Sequence, residues 1–168
     1  HAHQDQGAFT LFANDWLAVT ENIWTHSGIQ QGTEVHNTMR FERSNPSVAQ
    51  CASPSNDRIV HQCADSTSTM TVTPGVNGAL TVVSNLKPAY GNNPALSAWT
   101  RRLDFASRKL TVRDNFTLAA GTTASFQVQV PVQPVVSGNT VTAGKLKVRV
   151  LEPAGATITL KNWNPVDT

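Results

Sequence analysis

The densest set of chemistry-bearing residues is the opening run His1-Ala2-His3-Gln4-Asp5-Gln6-Gly7. Side chains alternate along an extended strand, so His1, His3 and Asp5 share one face. Two imidazoles and a carboxylate are costly to bury without a partner. A divalent metal is one solution, because zinc takes His and Asp or Glu ligands in tetrahedral array. Taken alone, the run reads equally well as a polar terminus or an expression tag. Two further groups extend it: Glu21, after a short apolar alternation, and His36 in His36-Asn37-Thr38. Neighbouring strands of a sheet would bring His3, Glu21 and His36 together as two imidazoles and one carboxylate. Asp15 is a second carboxylate on the same stretch, placed in a turn. His26 and His61 sit among loop-like residues and read as solvated.

Positioning such a set requires strands, and the chain is patterned for them. Period-two alternation runs through Phe9–Phe12, Trp16–Val19, His36–Arg43, Met70–Val72, Leu80–Val83, Ala98–Phe105 and Lys109–Phe116. It continues through Ser125–Val130, Thr140–Thr142, Lys145–Leu151 and Thr157–Lys161. Turn residues separate these runs: Asn14-Asp15, Pro74-Gly75, Asn77-Gly78, Gly121 and Ser137-Gly138-Asn139. No long amphipathic helix or internal repeat interrupts them. The pattern predicts an all-β fold, an antiparallel β-sandwich of roughly ten or more short strands forming a single domain over residues 1–168. Val128, Val130, Leu146, Val148 and Val150 are core candidates. Trp99 and Trp163 read as core or rim packing before sugar platforms. Arg101 and Arg102 are adjacent and so face opposite ways; one could reach the cleft or a salt bridge, and a solvated sheet face is the favoured reading.

Composition narrows the function classes. Charged residues are 14% of the 168-residue chain, with Thr, Ser, Asn and Gln in their place; soluble domains average about 25%. The formal net charge is +2, and no basic run concentrates it, which argues against a nucleic-acid partner. No stretch approaches the roughly 20 apolar residues of a membrane span. The two cysteines, Cys51 and Cys63, flank a loop-like segment; a disulfide between them fits an oxidising compartment, and two free thiols are the other reading. The chain opens at His1 without an initiator Met, as expected of a processed product or a piece of something longer.

The stretch His1-Ala2-His3-Gln4-Asp5-Gln6-Gly7-Ala8-Phe9 resembles the His-x-His-x-Asp-x-Gly-x-Phe signature of heparinase II/III-like polysaccharide lyases. Trp16-Leu17-Ala18-Val19, His36-Asn37-Thr38, Asn85–Tyr90, Trp99-Thr100-Arg101 and Leu110–Phe116 follow in that family's order, so the resemblance spans most of the chain. It implies a carboxy-terminal β-sandwich whose zinc ligands are His3, Glu21 and His36. Where the family typically has Asp, this chain offers Glu21. His1 would face the substrate cleft with a catalytic part in β-elimination, and Asp5 would support an imidazole. The implied substrate is an acidic, uronate-containing polysaccharide, and the implied location is secreted or periplasmic. The family's helical toroid, which supplies the remaining acid, base and charge-neutralising groups, is absent from these residues, so the chain alone is expected to be inactive. Two other readings stay open. One is a non-catalytic carbohydrate-binding or structural β-sandwich. The other is a copper-dependent oxidative enzyme holding its metal through the His1 terminus.

Overall fold

The structure is a computed structural model; it describes residues 3–20, 32–44, 58–63, 66–163 and 165. The fold is all-β and antiparallel, with short 3-10 turns between strands. Its largest sheet has four strands: β4 (Thr69–Pro74), β5 (Leu80–Asn85), β6 (Leu96–Ala106) and β7 (Lys109–Leu118), in that order across the sheet. A hairpin precedes it, β1 (Leu11–Phe12) and β2 (Trp16–Ala18), followed by β3 (Met39–Arg43). After it, β8 (Thr122–Phe126) returns to pair with β3. The last three strands, β9 (Val135–Ser137), β10 (Thr140–Ala143) and β11 (Leu146–Arg149), form a meander ordered β11-β10-β9.

Parity along β6 decides what the large sheet buries. Trp99 and Arg101 point to one face, whereas Arg102 and Asp104 point to the other and pair in the open at 2.7 Å. The β3–β8 sheet packs over the Trp99 face. Phe41 of β3 meets Trp99, Tyr90 and Phe116 edge-on, with ring centroids 5.3, 5.8 and 5.5 Å apart. Met39, Val60, Leu86, Ala89, Ala95 and Leu96 complete this core. Farther along the same face, Leu80 and Phe105 are exposed and Leu103 and Leu110 half-buried; with Phe9, Leu11 and Phe12 they line an open groove of about 300 Å³.

Two hairpin turns differ in how they announce themselves. The β4–β5 turn carries Asn77 and Gly78, both at positive φ, 53° and 75°. This is the usual chemistry of a tight hairpin. The β6–β7 turn places Ser107 and Arg108 at φ 50° and 62°, the left-handed region that neither residue favours. The double substitution Ser107→Asn, Arg108→Gly is therefore expected to stabilise the fold by about 0.5–1 kcal/mol. An unchanged midpoint in denaturant would show that the turn carries no such strain.

Several expectations shift. The core candidates Val128, Val130, Leu146, Val148 and Val150 are only half-buried. In the β9–β11 meander Ala143 alone is fully buried, so the true centre lies instead around Phe41, Tyr90 and Trp99. The opening residues 3–10 lie outside any ladder, and the strand expected from His36 starts at Met39, behind a 3-10 turn over Thr33–Val35. Thr157–Lys161 is not a strand, while β9 was not foreseen.

Tyr90 is the single tyrosine of the chain. It is fully buried, and burial pushes its phenol well above the ordinary range, only partly opposed by the hydrogen bond from Gln62. Its stabilising effect is fully present below the ordinary phenol value of about 10 and is lost as pH rises beyond it, because the unfolded chain then releases a proton that the folded one keeps. Ultraviolet titration should accordingly show no phenolate at about pH 11 while the fold persists, and phenolate should appear together with unfolding. Phenolate forming in the folded protein near its ordinary value would contradict this.

Candidate metal centre

The opening segment reaches the core without strand pairing, held by side chains on one parity. Gln4 Oε1 accepts hydrogen bonds from the Gln62 backbone N–H at 3.2 Å and is bonded to His61 Nδ1 at 2.9 Å. The Gln6 N–H donates to Gln62 Oε1 at 2.9 Å, and Gln62 Nε2 donates back to the Gln6 carbonyl at 3.1 Å. The Gln6 amide donates to Ser66 and accepts from Ser68. These amides do the work of a ladder, giving buried backbone groups their partners. His61, read from sequence as solvated, is thus half-buried and hydrogen-bonded.

With Gln4 and Gln6 turned toward residues 61–68, His3 turns the other way and meets His36. Their ring centroids are 5.4 Å apart and tilted by 56°. His36 is 1% exposed, and its Nδ1 lies 2.5 Å from Thr20 Oγ1. Two imidazoles sharing a tetrahedral ion, with metal–nitrogen bonds of about 2.1 Å, put their centroids about 5 Å apart. The observed pair fits that requirement. Glu21, which follows Thr20 directly, lies outside the described residues, as do His1, His26 and Cys51. Among the described residues no group of three His, Cys, Asp or Glu side chains converges as a metal would need. Asp5 is exposed at a turn. Asp15 is exposed too, and its Oδ1 accepts from the Trp16 N–H at 2.8 Å within the β1–β2 turn, so it serves the hairpin.

The loop before β3 is fixed by Asn37, which is fully buried. Its Nδ2 donates to the Phe9 and Val19 carbonyls at 2.7 and 2.8 Å, and its Oδ1 accepts from the Gln129 N–H at 2.6 Å. One amide therefore joins the segments flanking the first hairpin to the chain leaving β8. Behind it lies Arg101, 1% exposed, in place of the solvated residue expected. Its Nε and Nη2 donate to the two Asp114 oxygens at 2.8 and 2.9 Å, and Nη1 donates to the Gly7 and Asn37 carbonyls at 2.7 and 3.2 Å. Trp99 Nε1 also donates to Asp114, at 2.8 Å. Trp99 is core, as read from sequence. Trp163 is half-buried, packs on Val35 and donates to Gln129. Lys161 lies over its ring at 3.3 Å, so that face is covered.

These features define an all-β protein in which the half-buried His3 meets the buried His36 beside a polar clamp. No protein-family model, curated protein or solved structure matches the chain. No helix among the described residues is long and apolar enough to cross a membrane. Among them there is also no free cysteine.

Proposed function

We propose that this chain is the zinc-binding β-sandwich of a secreted or periplasmic polysaccharide lyase that cleaves a uronate-containing polymer by β-elimination. The observation that carries the reading is the His3–His36 pair, whose 5.4 Å spacing suits two imidazoles on one ion. With Nδ1 engaged by Thr20, His36 would ligate through Nε2, a fixed tautomer of the kind metal sites use. Glu21, directly after Thr20 in sequence, is the proposed carboxylate. Zinc so held would tie the opening segment to the loop before β3 and neutralise the carboxylate.

In β-elimination a base takes the proton α to the uronate carboxylate, and the electron pair forms the new C4–C5 double bond. The 4-linked oxygen departs and collects a proton from an acid. Of the groups needed, this chain would contribute His1, at the cleft. Tyr90 is fully buried in the core, so it is not available as the acid. The remaining acid, base and carboxylate-neutralising groups would come from a helical domain. The chain by itself is therefore expected to release no unsaturated uronate, followed by ultraviolet absorbance, from a panel of acidic polysaccharides; product formation would overturn this division of labour. A disulfide between Cys51 and Cys63 belongs to the same reading. It is supported by the absence of a free cysteine among the described residues and by an oxidising location.

A further inference from the structure

We infer that Arg101 is a positioning residue for the His3–His36 pair; the inference rests on the metal reading above. Two chain segments carry the imidazoles, and no β-ladder joins them. Direct links between them are the Asn37 side-chain amide to the Phe9 carbonyl, at 2.7 Å and six residues from His3, and the Thr38 hydroxyl to the Gln6 carbonyl, long at 3.5 Å. Arg101 Nη1 bridges the same two segments with one nitrogen. It donates to the carbonyl of Gly7 on the His3 side and to the carbonyl of Asn37, the residue after His36.

The bridge is rigid because Nε and Nη2 of the guanidinium are held as well. Asp114 takes Nε and Nη2 in a two-pronged pair and is itself anchored by the Trp99 indole. The planar group lies between the Trp99 and Phe126 rings, 5.3 and 5.5 Å from their centroids. Gly7 makes the approach feasible. Its φ is +82°, and a Cβ there would come within 2.4 Å of Leu86, so only glycine brings this carbonyl so close. A lysine at 101 would keep the charge but lose the fork that fixes both carbonyls. Arg101 hydrogen-bonds the backbones of the two segments, so its influence on the imidazoles runs through their main chain.

The test compares zinc affinity of the folded chain, by competition with a chromophoric chelator, and the visible absorption of the cobalt(II) form. Arg101→Lys is expected to weaken zinc about 10–100-fold and to alter the cobalt band while circular dichroism is kept. Leu118→Ala, at the far edge of the core, should lower the melting temperature without moving either metal readout. Should Arg101→Lys not fold, the double variant Arg101→Gln, Asp114→Asn removes both buried charges together and is read in its place, with the same expectation. No zinc binding by the unaltered chain would sink the metal reading and this inference with it. Normal zinc affinity and an unchanged cobalt spectrum in the variant would overturn the positioning role alone. Failure of both variants to fold would make the pair purely structural, and would overturn it as well.

Discussion

Asp114→Ala is expected to cost about 3–5 kcal/mol of folding stability, because it leaves the guanidinium of Arg101 buried without its counter-charge. Arg101 is 1% exposed, and Asp114 supplies both of its carboxylate bonds. The same substitution strips the Trp99 indole of its acceptor. A small domain has roughly 5–15 kcal/mol in all, so the midpoint of denaturant unfolding should move far. Asp104→Ala is the contrast: Asp104 pairs with Arg102 across open solvent, and its loss should barely register. A cost below about 1 kcal/mol for Asp114→Ala, the range of exposed pairs, would mean that water reaches Arg101.

The second large effect is expected at Trp99. Trp99→Ala removes the side chain that Phe41 and Tyr90 pack against and that Arg101 lies over. A cost of about 3–5 kcal/mol is expected for a buried tryptophan. The tyrosine offers an independent reading of the same event. With its neighbour gone, Tyr90 should titrate closer to the ordinary phenol value. A destabilised variant whose Tyr90 still resists alkali would mean that the core closes over the cavity. Trp99→Ala and Asp114→Ala should not add, since the two residues share a hydrogen bond.

The strands were the legible part of the fold, because period-two alternation survives wherever one face is covered. β4 to β7 follow the predicted runs closely. Arg101 shows how the same rule can be applied and then abandoned. Its parity with Trp99 already placed it on the inward face, two residues along, while Arg102 and Asp104 shared the outward one. Favouring a solvated face over a salt bridge hid a buried clamp, for which Asp114 on the partner strand was the missing signal: Arg101 and Asp114 are paired in the β6–β7 register. Ser107 and Arg108 illustrate a turn that local chemistry does not mark, where the long pairing of β6 and β7 overrides residue preference. The C-terminal meander misled in the opposite direction, since alternation there is real but its apolar side is only half covered.

At the candidate site, His3 and His36 lie side by side, although the opening strand that was to deliver His3 is not a strand. Gln4, Gln6 and Gln62 deliver it instead, through side-chain amides that no periodicity reveals. Asn37 was noticed only as part of His36-Asn37-Thr38, and its structural task emerges from the three main-chain groups it satisfies. Glu21, His1 and Cys51 lie outside the described residues, so their parts in the site stand as proposals.

The central claim is that His3 and His36 hold a metal, and elemental analysis of the purified chain beside His3→Ala and His36→Ala tests it most directly. The account predicts about one zinc per chain, lost in both variants while circular dichroism reports an intact fold. A chain that binds no metal after exposure to zinc, or that holds copper undiminished in His3→Ala, would contradict it and leave the paired imidazoles as packing within a structural β-sandwich.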